Sequence, residues 1–498
     1  MERAGEVDIL IENAHLLSPD QEHMLEGQNV IVSNGRIVRV TTDPVEPEPG
    51  TRRIPGRGRL MIPGLINAHS HSPENLLKGR YEGLPLEFWL SDIFGSSFAF
   101  TEREIYLSAM IGAIEMLKTG TTAVVDHFWV NGKLGRTALD SVMNAYREVG
   151  IRAAVAPLVE DQHRLNALIL AENPGLSREV YGVSPPSSAD EYLDLLDDFF
   201  QAWHMKNDGR LRCLAGPSGV QWCSDRLLVG SIELAERYDT GLHMHVEETK
   251  LHAVACRDLL GRSAVAHLAE LGVLKERASL AHCVWVDDDD IERIVEADAT
   301  VVHNPVCNLK LGSGFAPILE ILGRGGRVAL ACDGAASNDS QIMFEAMKAA
   351  GLMHTVRSSD HRRWVSARRI FQMATVEAAK VMRLQGELGS IHPGALADLV
   401  LLDIHTPAFT PLNDPYQQLV FSETGSSVRT VIVNGRVVLD DGRLLTVDEG
   451  DLLAEANELW QARRRQIPPL SPEAMKFEEA LQRFRESVLS RPFVVDRF

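Results

Sequence analysis

The chain has no CxxC pair: Cys213, Cys223, Cys256, Cys283, Cys307 and Cys332 are scattered along it. This spacing offers no disulfide framework and reads as a set of reduced thiols. Positive charge is scarce. Against 69 acidic side chains stand only 50 Lys and Arg, a formal net charge of -19. A nucleic-acid binder needs a basic face to displace counterions, and an acidic membrane attracts basic patches, so neither partner is expected. No apolar run reaches the roughly 18 residues that would span a bilayer, and no apolar stretch ahead of a cleavage site marks the N-terminus. The expectation is a cytoplasmic protein. A GxxxxGK[ST] phosphate loop is also missing, and Gly312-Ser313-Gly314 is too short to replace one.

What is present is a large α/β pattern framed by two β-rich ends. With 498 residues, one large domain plus a smaller one is expected. Residues 7–60 alternate short strands such as Val7-Asp8-Ile9-Leu10-Ile11 with polar turns such as Ser33-Asn34-Gly35-Arg36. The same texture returns in 397–438, again with an Asn-Gly turn at Asn434-Gly435. Between about 63 and 392, apolar strands alternate with helical patterns, including Glu102 to Ile111 and Asp287 to Val295, the rhythm of βα units. The last fifty or so residues, 447–498, read as helical and charged with a break at Ile467-Pro468-Pro469-Leu470-Ser471-Pro472. A packing or oligomer arm is expected there, and with it a homo-oligomer.

Chemistry concentrates at strand ends. Pro63-Gly64-Leu65-Ile66-Asn67-Ala68-His69-Ser70-His71 is an apolar strand ending in two histidines one residue apart. Alternate strand residues point to one side, so both imidazoles face one point. A lone HxH is weak evidence, because a metal needs several converging ligands. His243-Met244-His245-Val246-Glu247-Glu248, Ala281-His282-Cys283 and Cys332-Asp333-Gly334 each follow another short apolar run. Parallel strands of an α/β barrel would deliver all four groups to one face. The run Asp287-Asp288-Asp289-Asp290 reads instead as a solvated helix start, its acids complementing the helix dipole. Phe88, Trp89, Phe94, Phe98, Phe128 and Trp129 fit equally a core and the wall of a pocket for a flat ligand.

The order PGLxNxHxH, HxxE, AHC and DGAASN resembles the amidohydrolase superfamily, in particular its mononuclear branch of adenosylhomocysteine and methylthioadenosine deaminases, guanine deaminase and triazine hydrolases. The likeness is most specific in 303–314 and in Asp333-Gly334-Ala335-Ala336-Ser337-Asn338. It implies a (β/α)8 TIM-type barrel over 63–392, inserted in a small β-sandwich built from 1–62 and 393–446. It also places His69, His71, His245 and Asp333 on one divalent ion. Zinc suits a histidine-rich site, with iron and manganese as other fits. His245 is preferred over His243 because the family pattern puts a glutamate three residues after the ligand, here Glu248. A bridging lysine of the binuclear branch has no counterpart in Leu211-Arg212-Cys213-Leu214-Ala215-Gly216-Pro217.

The implied reaction is hydrolytic deamination of an amino-substituted heterocycle or amidine. A divalent ion lowers the pKa of bound water from near 16 to roughly 7, which makes hydroxide available for attack. Asp333 would accept the water's proton, Glu248 would protonate the departing nitrogen, and His282 would polarise the developing oxygen. Trp89, Phe98, Ser218, His303 and Asn304 are the expected substrate contacts. Two other readings stand beside this one: cleavage of another bond in the same site (aromatic C-Cl, N-alkylamine or cyclic amide), and a non-catalytic binding protein on a degenerate barrel. Nucleoside-type members carry an acidic residue where Phe98 aligns, a histidine where Ser218 aligns, and an arginine where Ala156-Pro157-Leu158 runs on to Glu160 and Asp161. These departures point away from purine nucleosides towards a neutral or cationic amino-heterocycle.

Overall fold

The computed structural model describes residues 9–95, 99–131, 133–176 and 187–498. Its central strands carry almost no polar alternation and are buried on both faces, as expected of parallel strands covered by helices. One parallel sheet runs Leu65–Ser70, Thr121–Phe128, Arg152–Val159, with Leu211–Cys213 and Gly216–Pro217 both on the last of these. A second runs Leu242–Val246, Ala278–His282, Thr300–His303, Arg327–Leu330. Parallel bridges Ala215 to Leu242 and Gly219 to His245 connect the two sheets. On the opposite flank the Asp333 N–H donates to the His69 carbonyl at 3.0 Å.

Intervening helices follow the sequence pattern. Helix Glu102–Lys118 opens with a reciprocal capping box between Thr101 and Glu104. Helix Asp288–Glu296 is capped by Asp287. Only part of the acidic run is solvated, however. Asp288 and Asp289 are exposed, whereas Asp290 is buried and accepts a hydrogen bond from the Ser263 hydroxyl. Arg257, 2.9 Å from Asp287, offsets the clustered charge.

Both β-rich ends enter one nine-stranded mixed sheet. The join is made by Arg59–Pro63 lying antiparallel to Leu399–Asp403, with Met61 opposite Leu401. Two Asn-Gly hairpins serve this sheet. Asn34 and Gly35 have φ of 51° and 75°, and Asn434 and Gly435 have 50° and 75°, the left-handed pair that a two-residue hairpin turn requires. The turns abut so closely that a Cβ on Gly435 would lie 2.7 Å from the Gly35 Cα.

The sheet is tied to the parallel strands by a buried fork. Arg152, on the third parallel strand, donates from Nε to Asp398 Oδ2 at 2.9 Å and from Nη2 to Asp398 Oδ1 at 2.8 Å. Asn434 completes the network by donating its backbone N–H to Asp398 and accepting from Arg152. The remaining chain forms helices Glu449–Arg464 and Pro472–Ser490 around the expected break. All six cysteines are unpaired and buried. Among the described residues no helix is long and apolar enough to cross a membrane.

Removing one partner of a buried, bidentate ion pair strands the other charge, at about 3–5 kcal/mol. Asp398→Ala should lower unfolding stability by that amount in urea titration. The double replacement Arg152→Met with Asp398→Leu should recover most of it, because no charge is then left buried.

Candidate metal centre

His69 ends the strand Leu65–Ser70, His71 follows it by one residue, His245 lies near the end of Leu242–Val246, and Asp333 stands just beyond Arg327–Leu330. These four side chains meet. His69 Nε2 is 3.5 Å and His71 Nε2 3.4 Å from Asp333 Oδ1, and His245 Nε2 is 3.3 Å from His71 Nε2. Ligand atoms about 2.0–2.1 Å from a tetrahedral ion are about 3.4 Å from each other. The spacings of His69, His71 and Asp333 fit such a donor set, and His245 Nε2 approaches it beside His71.

Each imidazole is oriented by its other nitrogen. His71 Nδ1–H donates to the His127 carbonyl at 2.6 Å, and His245 Nδ1–H to the Ser218 carbonyl at 2.8 Å. Both Nε2 lone pairs are therefore left facing inward. For His69 the assignment runs through a relay. The Ser279 hydroxyl donates to the Leu242 carbonyl at 3.1 Å, so its oxygen accepts from His243 Nδ1–H at 2.7 Å. His243 Nε2 is then an acceptor and takes the His69 Nδ1–H at 2.6 Å. His69 Nε2 remains buried with no hydrogen-bond partner, as a ligand atom would. The relay also distinguishes His243 from His245. Donor atoms of His69, His127 and His243 cluster too, but both nitrogens of His243 are committed.

Electrostatics suit ligation. Burial pushes His69 down to about 4, with Asp333 opposing, and burial with the neighbouring imidazoles pushes His245 well down. The rings of His69 and His245 are thus neutral near pH 7. Burial alone would raise Asp333, but His69, His282 and His71 outweigh it and hold the carboxyl well below its usual range. Glu248 is pushed the other way, up to about 7, by burial above all, with Asp333 adding and His282 opposing. Two carboxyls in one site are therefore driven apart, one ionised and one able to hold a proton.

His282 stands between them. Its Nε2 is 3.6 Å from Glu248 Oε2 and 3.7 Å from Asp333 Oδ2, and its Nδ1 meets Asn308 Oδ1 at 3.0 Å. His282 and Asp333 have φ of 72° and 69°, a left-handed backbone costing a non-glycine residue about 1–3 kcal/mol. Tertiary bonds hold Asp333 in that state. Its carbonyl accepts from Gln341 Nε2 at 2.7 Å, while Asn67 Oδ1 accepts from the Cys332 N–H at 2.9 Å. The serine of Gly312-Ser313-Gly314 has a local use: its hydroxyl donates to Glu248 Oε1 at 3.1 Å.

Above this cluster lies a cavity of about 180 Å³. Trp89, Phe94, Trp129 and Ser218 line it, with His71, His245, Glu248, His282 and Asp333 at one end. Phe128 belongs to the core and Phe88 packs outside the cavity, while Phe98 falls outside the described residues. His303 and Asn304 are turned away from the cavity. His303 ends the strand Thr300–His303 and its Nε2 pairs with His354 Nε2 at 3.0 Å. Asn304 starts a short helix, and its amide reaches His282 Nδ1 at 3.3 Å. Each spends one polar atom on a contact within the protein, while His303 Nδ1 and Asn304 Oδ1 are buried without a hydrogen-bond partner.

Glu74 was missed by sequence reading. It sits three residues past His71 on the turn Ser72–Leu77, fully buried yet lining the cavity. Trp129 Nε1 and the Ala336 N–H donate to it at 3.3 and 3.1 Å. A Cβ on Gly334 would lie 2.0 Å from its carboxylate, so Asp333 has to be followed by glycine. Its signal was a carboxyl in the first turn beyond a ligand strand. Glu160 and His163 also line the cavity.

Outer-shell partners of a ligating histidine typically contribute 10–100-fold in metal affinity. His243→Ala should weaken zinc binding by about that factor in competition with a chromophoric chelator. Unchanged affinity would show that the relay does not orient His69.

Comparison with known proteins identifies the family. Residues 60–438 match the model of the amidohydrolase family. The chain is 33% identical over 446 residues, 89% of its length and 95% of the relative's, to a 5-methylthioadenosine/S-adenosylhomocysteine deaminase of Caldanaerobacter subterraneus subsp. tengcongensis. It is 32% identical over 454 residues, 91% of its length and 97% of the relative's, to a 5'-deoxyadenosine deaminase of Methanosarcina mazei. Among solved structures, an adenosine deaminase from Xanthomonas campestris with bound zinc superposes with a TM-score of 0.82 at 26% identity, covering 93% of this chain and 100% of that one. An atrazine chlorohydrolase from Arthrobacter aurescens TC1 complexed with zinc gives 0.81 at 25% identity, covering 91% and 100%. With residues 60–438 matched by the family model and relatives of 33% and 32% identity covered over 95% and 97% of their length, the chain belongs to the amidohydrolase family.

Proposed function

We propose that this protein is a metal-dependent aminohydrolase that releases ammonia from an amino-substituted heterocycle. The observation that carries the reading is the trio of Glu248, His282 and Asp333, set beside three imidazoles whose Nε2 atoms converge. The architecture that goes with it is a (β/α)8 barrel over 63–392, a β-sandwich from 1–62 and 393–446, and the tail 447–498.

His69, His71, His245 and Asp333 would hold one divalent ion, zinc being the best match to three imidazoles and one carboxylate. Such an ion supplies Lewis acidity and makes water acidic enough to attack near neutral pH. The protein's own groups do the rest. Asp333, ionised, accepts the proton of the attacking water. His282, with Nδ1 accepting from Asn304 Nδ2–H, carries its ring proton on Nε2, which hydrogen-bonds the oxygen that develops negative charge. Glu248, pushed up to about 7, can hold a proton near neutral pH and gives it to the nitrogen that departs, which would otherwise leave as an amide anion. Chloride needs no such proton, so a buried acid at this place favours a nitrogen leaving group. Trp89, Phe94 and Trp129 offer flat apolar walls for a ring.

The sequence relatives are named for adenosine derivatives, but this cavity presents Ser218 where a nucleoside-type member would present a histidine, and Leu158, followed by Glu160, along the run where such a member would present an arginine. A neutral or cationic amino-heterocycle without ribose is the substrate class that fits.

Glu248→Gln should lower kcat for ammonia release by about 10²–10⁴-fold and leave metal content unchanged. Because the protonated acid is the active form and its pKa lies at about 7, wild-type kcat should be full below that pH and fall as pH rises through it. A steady-state pH profile tests this. An alkaline limb that persists in Glu248→Gln would remove Glu248 from the acid role, and high activity on adenosylhomocysteine or methylthioadenosine would overturn the substrate class.

A further inference from the structure

The C-terminal segment, expected to be a packing or oligomer arm, reaches the active-site cavity. Helix Pro472–Ser490 buries Ala474, Phe477, Leu481, Phe484 and Val488, a stripe spaced by three and four residues that marks one helical face. That face packs on Leu251 and Val254 of helix Lys250–Leu260, which begins two residues after Glu248, and on Leu165 and Ile169 of helix Arg164–Glu172. The helix is fastened at its end. Lys250 Nζ donates to the carbonyls of Leu489 and Arg491 at 2.9 and 2.7 Å, and Arg491 pairs with Asp258 at 2.8 Å. Arg485 lies 3.6 Å from Glu87, which accepts from the Thr249 hydroxyl at 2.6 Å, next to Glu248.

One residue of this helix, Leu481, lines the cavity together with Leu165, Ile169 and Trp222, all four within a single hydrophobic cluster. Trp89, Phe94 and Trp129 belong to a different cluster. The cavity therefore has two separate apolar quarters. Helix Pro472–Ser490 lies wholly outside the residues matched by the family model, 60–438.

We propose that the C-terminal helix is a specificity element: Leu481, with Leu165, Ile169 and Trp222, receives an apolar substituent carried by the heterocycle, whose ring sits against Trp89, Phe94 and Trp129. The proposal rests on the aminohydrolase reading of the same site. Each methylene moved from water into such a quarter is worth about three- to fourfold in binding. A hydrogen atom in place of the substituent leaves that apolar wall facing water.

The test uses the full-length, zinc-loaded enzyme and aminopyrimidines bearing n-alkyl chains from methyl to hexyl, with ammonia release and calorimetric binding measured for each. Wild-type kcat/KM and affinity should rise about three- to fourfold per methylene until the quarter is full. Leu481→Trp should cut the preference for hexyl over methyl by about tenfold or more, Leu481→Ala should carry the rise to longer chains, and Ile169→Trp, from helix Arg164–Glu172, should repeat the first effect. A flat wild-type response to chain length, or variants that scale every ligand by one factor, overturns the proposal. A chain-length shift seen in binding with no ammonia released supports the specificity wall and overturns only the aminohydrolase reading.

Discussion

His69 and His71 bring Nε2 to Asp333, and His245 brings its own to His71, because each Nδ1 is engaged elsewhere. His71 and His245 spend theirs on the carbonyls of His127 and Ser218, and His69 spends its on His243. Each bond selects a tautomer and locks a ring at once. Without these bonds, burial of so many polar rings would be a cost with no return, since an unpaired buried polar group destabilises by a few kcal/mol. The position of Asp333, of Glu248 and of the cavity all follow from where those rings point.

The parallel strands supply the carbonyls. The carbonyls of His127 and Ser218, on and just past neighbouring strands, accept from the rings of His71 and His245. The left-handed backbone at His282 and Asp333 belongs to the same economy of space, because both residues must turn out of their strands towards one point. Gln341 and Asn67 hold the turned segment, and Glu74 occupies the room that a side chain at Gly334 would need. The strained residues are thus over-determined by contacts, which is the condition for such backbone to persist. The Arg152 fork with Asp398 carries that rigidity across to the sheet made by the chain ends.

How much of this was readable before folding differs from residue to residue. The strands Leu65–Ser70 and Leu242–Val246 were legible because they are apolar runs carrying His near their ends, where period-two alternation aims the side chains. The two Asn-Gly turns were legible because only residues tolerant of positive φ serve there. Asp290 was not, since a run of four acids looks uniformly solvated and only the Ser263 contact draws one inward. His303 and Asn304 lie in the most distinctive stretch of sequence, yet helix and strand packing turn them to His354 and His282. Glu74 and Leu481 enter the cavity from a short turn and a distant helix, and neither proximity can be read from local spacing.

The central claim is a single ion held by three Nε2 imidazoles and one carboxylate. Elemental analysis of the zinc-loaded protein, combined with zinc K-edge absorption, measures both the stoichiometry and the donor set. One equivalent of zinc per chain, in a shell of three imidazole nitrogens and light oxygen donors without sulfur, is the predicted result. Two equivalents, a sulfur donor, or a full equivalent of tightly held zinc that survives His245→Ala would contradict it.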